Sequence, residues 1–90
     1  MQSKNKKPMT VAERRHVLRV KELQCVVCGA PPPSEAHEPV QGLWFCSIAL
    51  CEFCHRGRNG IHGDKAMWSV NKMDEWSALN ETLRRLSDVQ

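Results

Sequence analysis

Two cysteine pairs of identical spacing limit what this chain can become more than any other feature. They are Cys25-Val-Val-Cys28 and Cys51-Glu-Phe-Cys54, with 22 residues between them. Two thiolates on one tight loop close on a single ion, and a second such loop completes the sulfur set of a structural zinc site. The gap slightly exceeds the commonest range for such sites, but the doubled pair is a strong signal. A chain of 90 residues has use for the ion. It buries a modest share of its surface, and metal-binding free energy at a structural site becomes folding free energy. The rival uses are weaker. Buried free thiols would not be spaced in pairs. Disulfides sit badly with five cysteines and with a polar start, Met1-Gln-Ser-Lys-Asn-Lys-Lys-Pro8, that lacks the apolar segment of an export signal. Redox cycling of C-x-x-C calls for a thioredoxin-like βαβ context that the sequence does not offer. The longest largely apolar run, Leu43 to Cys51, is too short to span a membrane. The expectation is a cytoplasmic protein in a reducing compartment, with structural Zn2+ on Cys25, Cys28, Cys51 and Cys54.

The net charge of +3 is unevenly spread. Residues 1–24 carry seven Lys/Arg against Glu13 and Glu22, whereas the remainder is net negative by two. A basic leading segment suits a polyanion such as nucleic acid, although a solvated helix face would look the same. The aromatic content is 6% with no tyrosine, so a base-stacking platform for single strands is not evident.

Residues 1–9 read as a disordered basic tail, and residues 10–90 as one domain. Thr10-Val-Ala-Glu13 is a capping box that opens a helix to about Leu23. Val17, Val20 and Leu23 form its apolar stripe, Leu18 borders it, and Arg14, Arg15, Arg19 and Lys21 cover the rest. His16 has no neighbour at ligand spacing and reads as an ordinary helix residue. Gly29 permits the tight turn after Cys28. Ala30-Pro-Pro-Pro33 must be an extended connector. A short strand ending at His37 follows, then a turn at Gln41-Gly42 and a second strand over Leu43–Leu50, in which Cys46 faces the core. A short helix is expected from Cys51 or Glu52 to Gly57 or Gly60, carrying Cys54 and His55. Asp64 caps a helix from Lys65 to about Val70, with Met67 and Trp68 as core. Asn71-x-x-Asp74 caps a last helix, Lys72 to Leu86, whose apolar face is Trp76, Leu79, Leu83 and Leu86.

The order is a knuckle, a hairpin with a histidine, and a second knuckle running into a helix with further histidines. The carrying residues are Cys25-x-x-Cys28-Gly, Ala36-His37, Ile48-Ala-Leu-Cys51-x-x-Cys54-His55-x-Gly57 and Gly60-Ile-His62-Gly63-Asp64. In these the chain resembles the HNH branch of the His-Me finger (ββα-metal) nucleases, most of all the phage recombination-enhancement (Ref) type, over roughly residues 23 to 86. The resemblance implies an α+β fold: a small zinc-stabilised ββα-metal core with flanking N- and C-terminal helices. It implies a metal-dependent DNA endonuclease, phage- or prophage-encoded, acting in DNA recombination in the bacterial cytoplasm. Its partners would be DNA and a RecA-like recombinase filament. By position His37 would be the general base, its other ring nitrogen held by a backbone carbonyl. His55 and His62 would hold the catalytic divalent metal (Mg2+, Mn2+ or Zn2+), with Arg56 and Arg58 near the phosphates and Arg14, Arg15 and Arg19 on the DNA-binding surface.

The chain departs from that pattern twice. Ala36 stands where the family often has a metal ligand, so Glu35, Glu38 or water would complete the metal's coordination. The middle Asn has no counterpart, and Cys46 or Ser47 stands near its place. A zinc module that binds nucleic acid or a protein without cleaving is therefore the alternative. In that case only the thiolate zinc is expected, with His55 and His62 free or satisfied by the fold. Taken singly, the rival role of His55 is to ligate the zinc in place of one cysteine, and that of His62 is to sit at a helix C-terminus facing its dipole.

Overall fold

A computed structural model describes residues 8–87, so most of the expected basic tail lies outside the described residues. The capping box forms as its sequence requires. The Glu13 amide donates to Thr10 Oγ1 at 3.1 Å and the Thr10 amide to the Glu13 carboxylate at 2.8 Å. Helix α1 (Val11–Lys21) buries Val17 and Val20 and leaves Leu18 exposed. It stops short of Leu23 because the Glu22 and Leu23 amides turn back onto the Arg19 and Val20 carbonyls in tighter bonds. The Leu23 carbonyl instead accepts the Ser34 hydroxyl at 2.6 Å. That bond fixes the start of the sheet against the end of α1.

The sheet has two antiparallel strands, β1 (Glu35–His37) and β2 (Ile48–Leu50), with Glu35 opposite Leu50, Ala36 opposite Ala49 and His37 opposite Ile48. The second strand is therefore much shorter than the run Leu43–Leu50 suggests. The first strand lies between Pro33 and Pro39, neither of which can donate to a ladder, so the second has nothing further to pair with. Its leading half folds into a 3-10 turn, Trp44–Cys46, closed by the Ser47 hydroxyl on the Trp44 carbonyl at 2.6 Å. Cys46 consequently sits half-buried in a turn and not on a strand.

β2 is wholly buried: Ile48, Ala49 and Leu50 each expose 0%. The first cysteine loop is tied to it by the Val26 amide on the Ala49 carbonyl at 3.0 Å. Three helices follow, α2 (Glu52–Arg56), α3 (Ala66–Asn71) and α4 (Glu75–Ser87). α3 begins after Lys65, where Asp64 Oδ1 accepts the Ala66 amide at 2.9 Å. It runs through Asn71, so that residue belongs to α3 and does not cap the last helix as the Asn71-x-x-Asp74 spacing suggests. It ends in a Schellman turn: Lys72 is left-handed (φ 55°), with the Lys72 and Met73 amides on the Ser69 and Trp68 carbonyls. Asp74 alone then caps α4, its carboxylate accepting the Ser77 amide at 2.8 Å.

The buried face of α4 also differs from the expected one. Trp76 is 75% exposed and Leu83 39%, while Ala78, Leu79, Thr82 and Leu86 are buried. Small residues at 78 and 82 let the helix approach β2 closely enough for Thr82 Oγ1 to accept the buried Ala49 amide at 3.3 Å. The same hydroxyl donates to the Ala78 carbonyl at 2.9 Å. The buried face is thus selected for close approach and not for the size of its apolar side chains. The core joins Val20, Val26, β2, Ile61, Met67, Ala78, Leu79 and Leu86 with three of the cysteines. No helix among the described residues is long and apolar enough to cross a membrane.

Candidate metal centres

The two cysteine loops meet. The sulfurs of Cys25, Cys28, Cys51 and Cys54 all lie within 4.8 Å of one another, with Cys28 Sγ 3.6 Å from Cys51 Sγ. A tetrahedron with metal–sulfur bonds of about 2.3 Å has an edge of about 3.8 Å, so the donor set suits zinc in type, number and spacing. Each loop is built alike. The Cys28 amide points at Cys25 Sγ (3.5 Å) and the Cys54 amide at Cys51 Sγ (3.4 Å). Burial works to raise the Cys25 thiol, but the amides of Cys28, Cys51 and Val27 outweigh it and bring it down to about 7. Cys28 is raised by burial. Cys54 is raised further, by burial and then by the negative charge of Cys25. Burial thus works against ionising Cys28 and Cys54, and a divalent ion would supply the positive charge that lets such sulfurs bind as thiolates. Buried free thiols need no such amides.

Cys51 has a second task as the N-cap of α2, and the helix it starts carries His55. α2 ends at Gly57, and the chain then doubles back over its last turn. The Ile61 amide donates to the Cys54 carbonyl at 2.8 Å and the His62 amide to the His55 carbonyl at 3.2 Å. Glycine is needed for this approach: a Cβ on Gly60 would meet the Phe53 carbonyl oxygen at 2.5 Å and that of Cys54 at 2.7 Å. His55 and His62 are thus brought together across a tight loop and not along one helix.

They are joined by His37 from the end of β1. The ring centroids of His37 lie 5.2 Å from those of both His55 and His62, which are 4.8 Å from each other. One ligand atom from each ring falls within 4.8 Å of the other two. The rings line an open cleft with Ala36, Glu38 and Gln41. His55 Nδ1 lies 2.7 Å from Glu35 Oε1. Arg56 grips both oxygens of that carboxylate, at 2.9 and 2.6 Å. Arg56 first, and His55 second, hold Glu35 down to about 2. An ionised carboxylate only accepts, so His55 Nδ1 is the donor, and in the neutral ring that a metal needs Nε2 keeps its lone pair. That Nε2 is 3.2 Å from His62 Nε2. Nitrogens sharing a tetrahedral metal at about 2.0–2.1 Å would be about 3.3 Å apart. Glu35, weighed as a metal ligand, thus stands behind one. Glu38 accepts the Gly42 amide at 2.9 Å and braces the hairpin turn.

His37 is held differently from the expected backbone carbonyl. Its Nε2 lies 2.9 Å from Glu75 Oε2, at the start of α4. Sequence reading missed Glu75. The signal was present, because Glu75 shares the 3.6-residue spacing of Ala78, Leu79 and Thr82, the face that packs on the sheet.

Arg14, Arg15, Arg19, Arg56 and Arg58 are all exposed, and two of them are also bonded within the fold. Arg19 Nη2 donates to the Leu86 carbonyl at 3.0 Å, tying α1 to the end of α4, and Arg56 is engaged by Glu35. His16 packs its ring 5.2 Å from Phe45, away from either cluster. Comparison with family models, with curated proteins and with solved structures found no match.

Proposed function

We propose that the protein is a metal-dependent DNA endonuclease of the HNH type. In this reading the cysteine cluster holds structural Zn2+ and the histidine cluster is the catalytic centre. The observation that carries the reading is the convergence of His37, His55 and His62 from a strand, a helix and a loop onto one open cleft. A fold has no need to gather three imidazoles at a surface with two carboxylates behind them. Imidazoles backed by carboxylates are the usual form of metal ligands and general bases.

His55 and His62 would hold the divalent ion, which when bound offsets charge on the scissile phosphate and its leaving oxygen. His37 would be the base. A water oxygen attacks phosphorus, its proton passes to the free nitrogen of His37, and the bond from phosphorus to the 3′ oxygen breaks. That oxygen then takes a proton from solvent. Arg14, Arg15 and Arg58 supply exposed charge for the DNA backbone. The recombination setting and the recombinase filament belong to the same proposal and rest on the resemblance alone.

The test is metal content together with cleavage of plasmid and single-stranded DNA in Mg2+, Mn2+ or Zn2+, with and without a recombinase filament. The wild type is compared with His37→Ala. Removal of a general base should lower cleavage by about 100- to 10,000-fold while both metal sites stay filled. Loss of the second ion in His37→Ala would make His37 a third ligand and not the base. No cleavage by the wild type under any of these conditions would favour the zinc module that binds without cutting.

A further inference from the structure

We infer that Glu75 is the positioning residue of His37, fixing its proton on Nε2 and leaving Nδ1 as the lone pair that faces reaction. The tautomer rests on geometry, and the catalytic part rests on the nuclease reading above. The two side chains are 38 residues apart in sequence and 2.9 Å apart in space. The His37 side chain is 10% exposed and that of Glu75 38%, so the bond lies at the buried edge of the cleft.

Nothing local to β1 sets this bond. It depends on the register of α4, which is fixed at two points. Asp74 caps the helix start through the Ser77 amide, and Thr82 docks the next turns on β2 through the Ala49 amide. Ala49 is the partner of Ala36, next to His37, so the docking point and the delivered carboxylate bear on the same stretch of sheet. The C-terminal helix is thereby part of the site. An acidic residue in a first helical turn has a simpler use in complementing the helix dipole, but that use does not require an imidazole in hydrogen-bond range.

The chemistry follows from the donor rules. An ionised carboxylate accepts only, so the His37 nitrogen facing it must donate, and in the neutral ring the other nitrogen keeps its lone pair. When that nitrogen takes a proton from water the ring becomes positive, and the carboxylate behind it stabilises the charge. A backbone carbonyl would orient the ring but offer only a dipole.

The test uses Glu75→Gln, which keeps the size and an acceptor but removes the charge. Glu81→Gln is the control, because Glu81 pairs with Arg84 and Arg85 on the same helix and lies outside the cleft. Nitrogen NMR of the imidazole rings in the zinc-loaded protein should show His37 protonated on Nε2 in the wild type. It should show mixed tautomers in Glu75→Gln, with the backbone amide spectrum otherwise kept. In cleavage, Glu75→Gln should lower kcat by about 10- to 100-fold with KM little changed, and Glu81→Gln should change neither. A wild-type His37 protonated on Nδ1 overturns the inference, and so does a Glu75→Gln protein with wild-type tautomer and kcat. A wild type that cleaves nothing overturns the nuclease reading and the catalytic role with it. The tautomer would still show whether Glu75 sets the proton on His37.

Discussion

Cys51 is the residue on which most of this molecule hinges, and replacing it gives the sharpest test of the zinc reading. Its sulfur is one of four within 4.8 Å of one another, it accepts the Cys54 amide at 3.4 Å as the cap of α2, and the residue is 7% exposed. Cys51→Ala therefore removes two things of different size. The cap is worth about 1 kcal/mol. The ion at a structural zinc site is worth about 10–16 kcal/mol in apparent binding free energy, against a typical whole-domain stability of about 5–15 kcal/mol. Cys51→Ser separates the two, because a hydroxyl can cap but is a poor substitute for a thiolate. Both variants should lose stoichiometric zinc and cooperative unfolding, because the cap that Ser can restore is far smaller than the ion's contribution. Metal content and thermal unfolding by circular dichroism, each with and without a strong chelator, measure this. A Cys51→Ala protein with wild-type zinc and melting would refute the four-cysteine site. Full recovery in Cys51→Ser would refute the claim that the metal outweighs the cap.

Gly60→Ala should uncouple the two centres. Its Cβ would meet the Phe53 carbonyl oxygen at 2.5 Å, so the loop bearing His62 must move off α2, and the protein should bind one ion per chain and not two. Two tightly held ions in that variant would remove His62 from the second site. Thr82→Val leaves the buried Ala49 amide without its acceptor and should cost about 1–3 kcal/mol, read from the urea midpoint of the zinc-loaded protein. An unchanged midpoint would mean that the amide is otherwise satisfied. Arg56 and then His55 depress Glu35 from 4.5 to about 2, so its contribution to folding is complete above about pH 4.5 and is lost as pH falls toward 2. Wild type and Glu35→Gln should therefore differ in stability by a constant amount above that range and converge below it. Parallel curves through the acid range would show that Glu35 gains nothing from those partners.

The parts of the fold legible in the sequence are those fixed by local chemistry. The Thr10–Glu13 box, the non-helical proline connector, the strand ending at His37 and the break after Arg56 all follow from residues within a few positions of each other. The four-cysteine cluster was legible because its doubled C-x-x-C spacing is what a metal site would impose. What stayed hidden depends on contacts between distant segments. The second strand shrank because its partner is bounded by prolines, a fact about β1 that the run Leu43–Leu50 does not carry. The buried face of α4 was set by how closely Ala78 and Thr82 approach β2, so Trp76 and Leu83 misled. Glu75 was hidden for the same reason: its partner is a histidine 38 residues away, brought near only once α4 has docked.

That dependence orders the two centres. α2 is five residues long, too short to persist as a helix without tertiary support. Its first turn is held by the sulfur of Cys51, and its last by the loop that folds onto the Cys54 and His55 carbonyls. Cys54 and His55 are consecutive, so the backbone that seats a sulfur in one cluster also sets the ring in the other. On the far side, His37 takes its place from β1, while β1 is paired with β2 and β2 is tied to the first cysteine loop through Val26. Both routes to the histidines thus pass through cysteine loops, which a metal would lock together. Among the described residues, Glu35, Glu75 and the loop that folds back onto α2 add the local contacts to the histidine rings. Its convergence is better understood as a consequence of the cysteine centre than as a second, independent support for the fold.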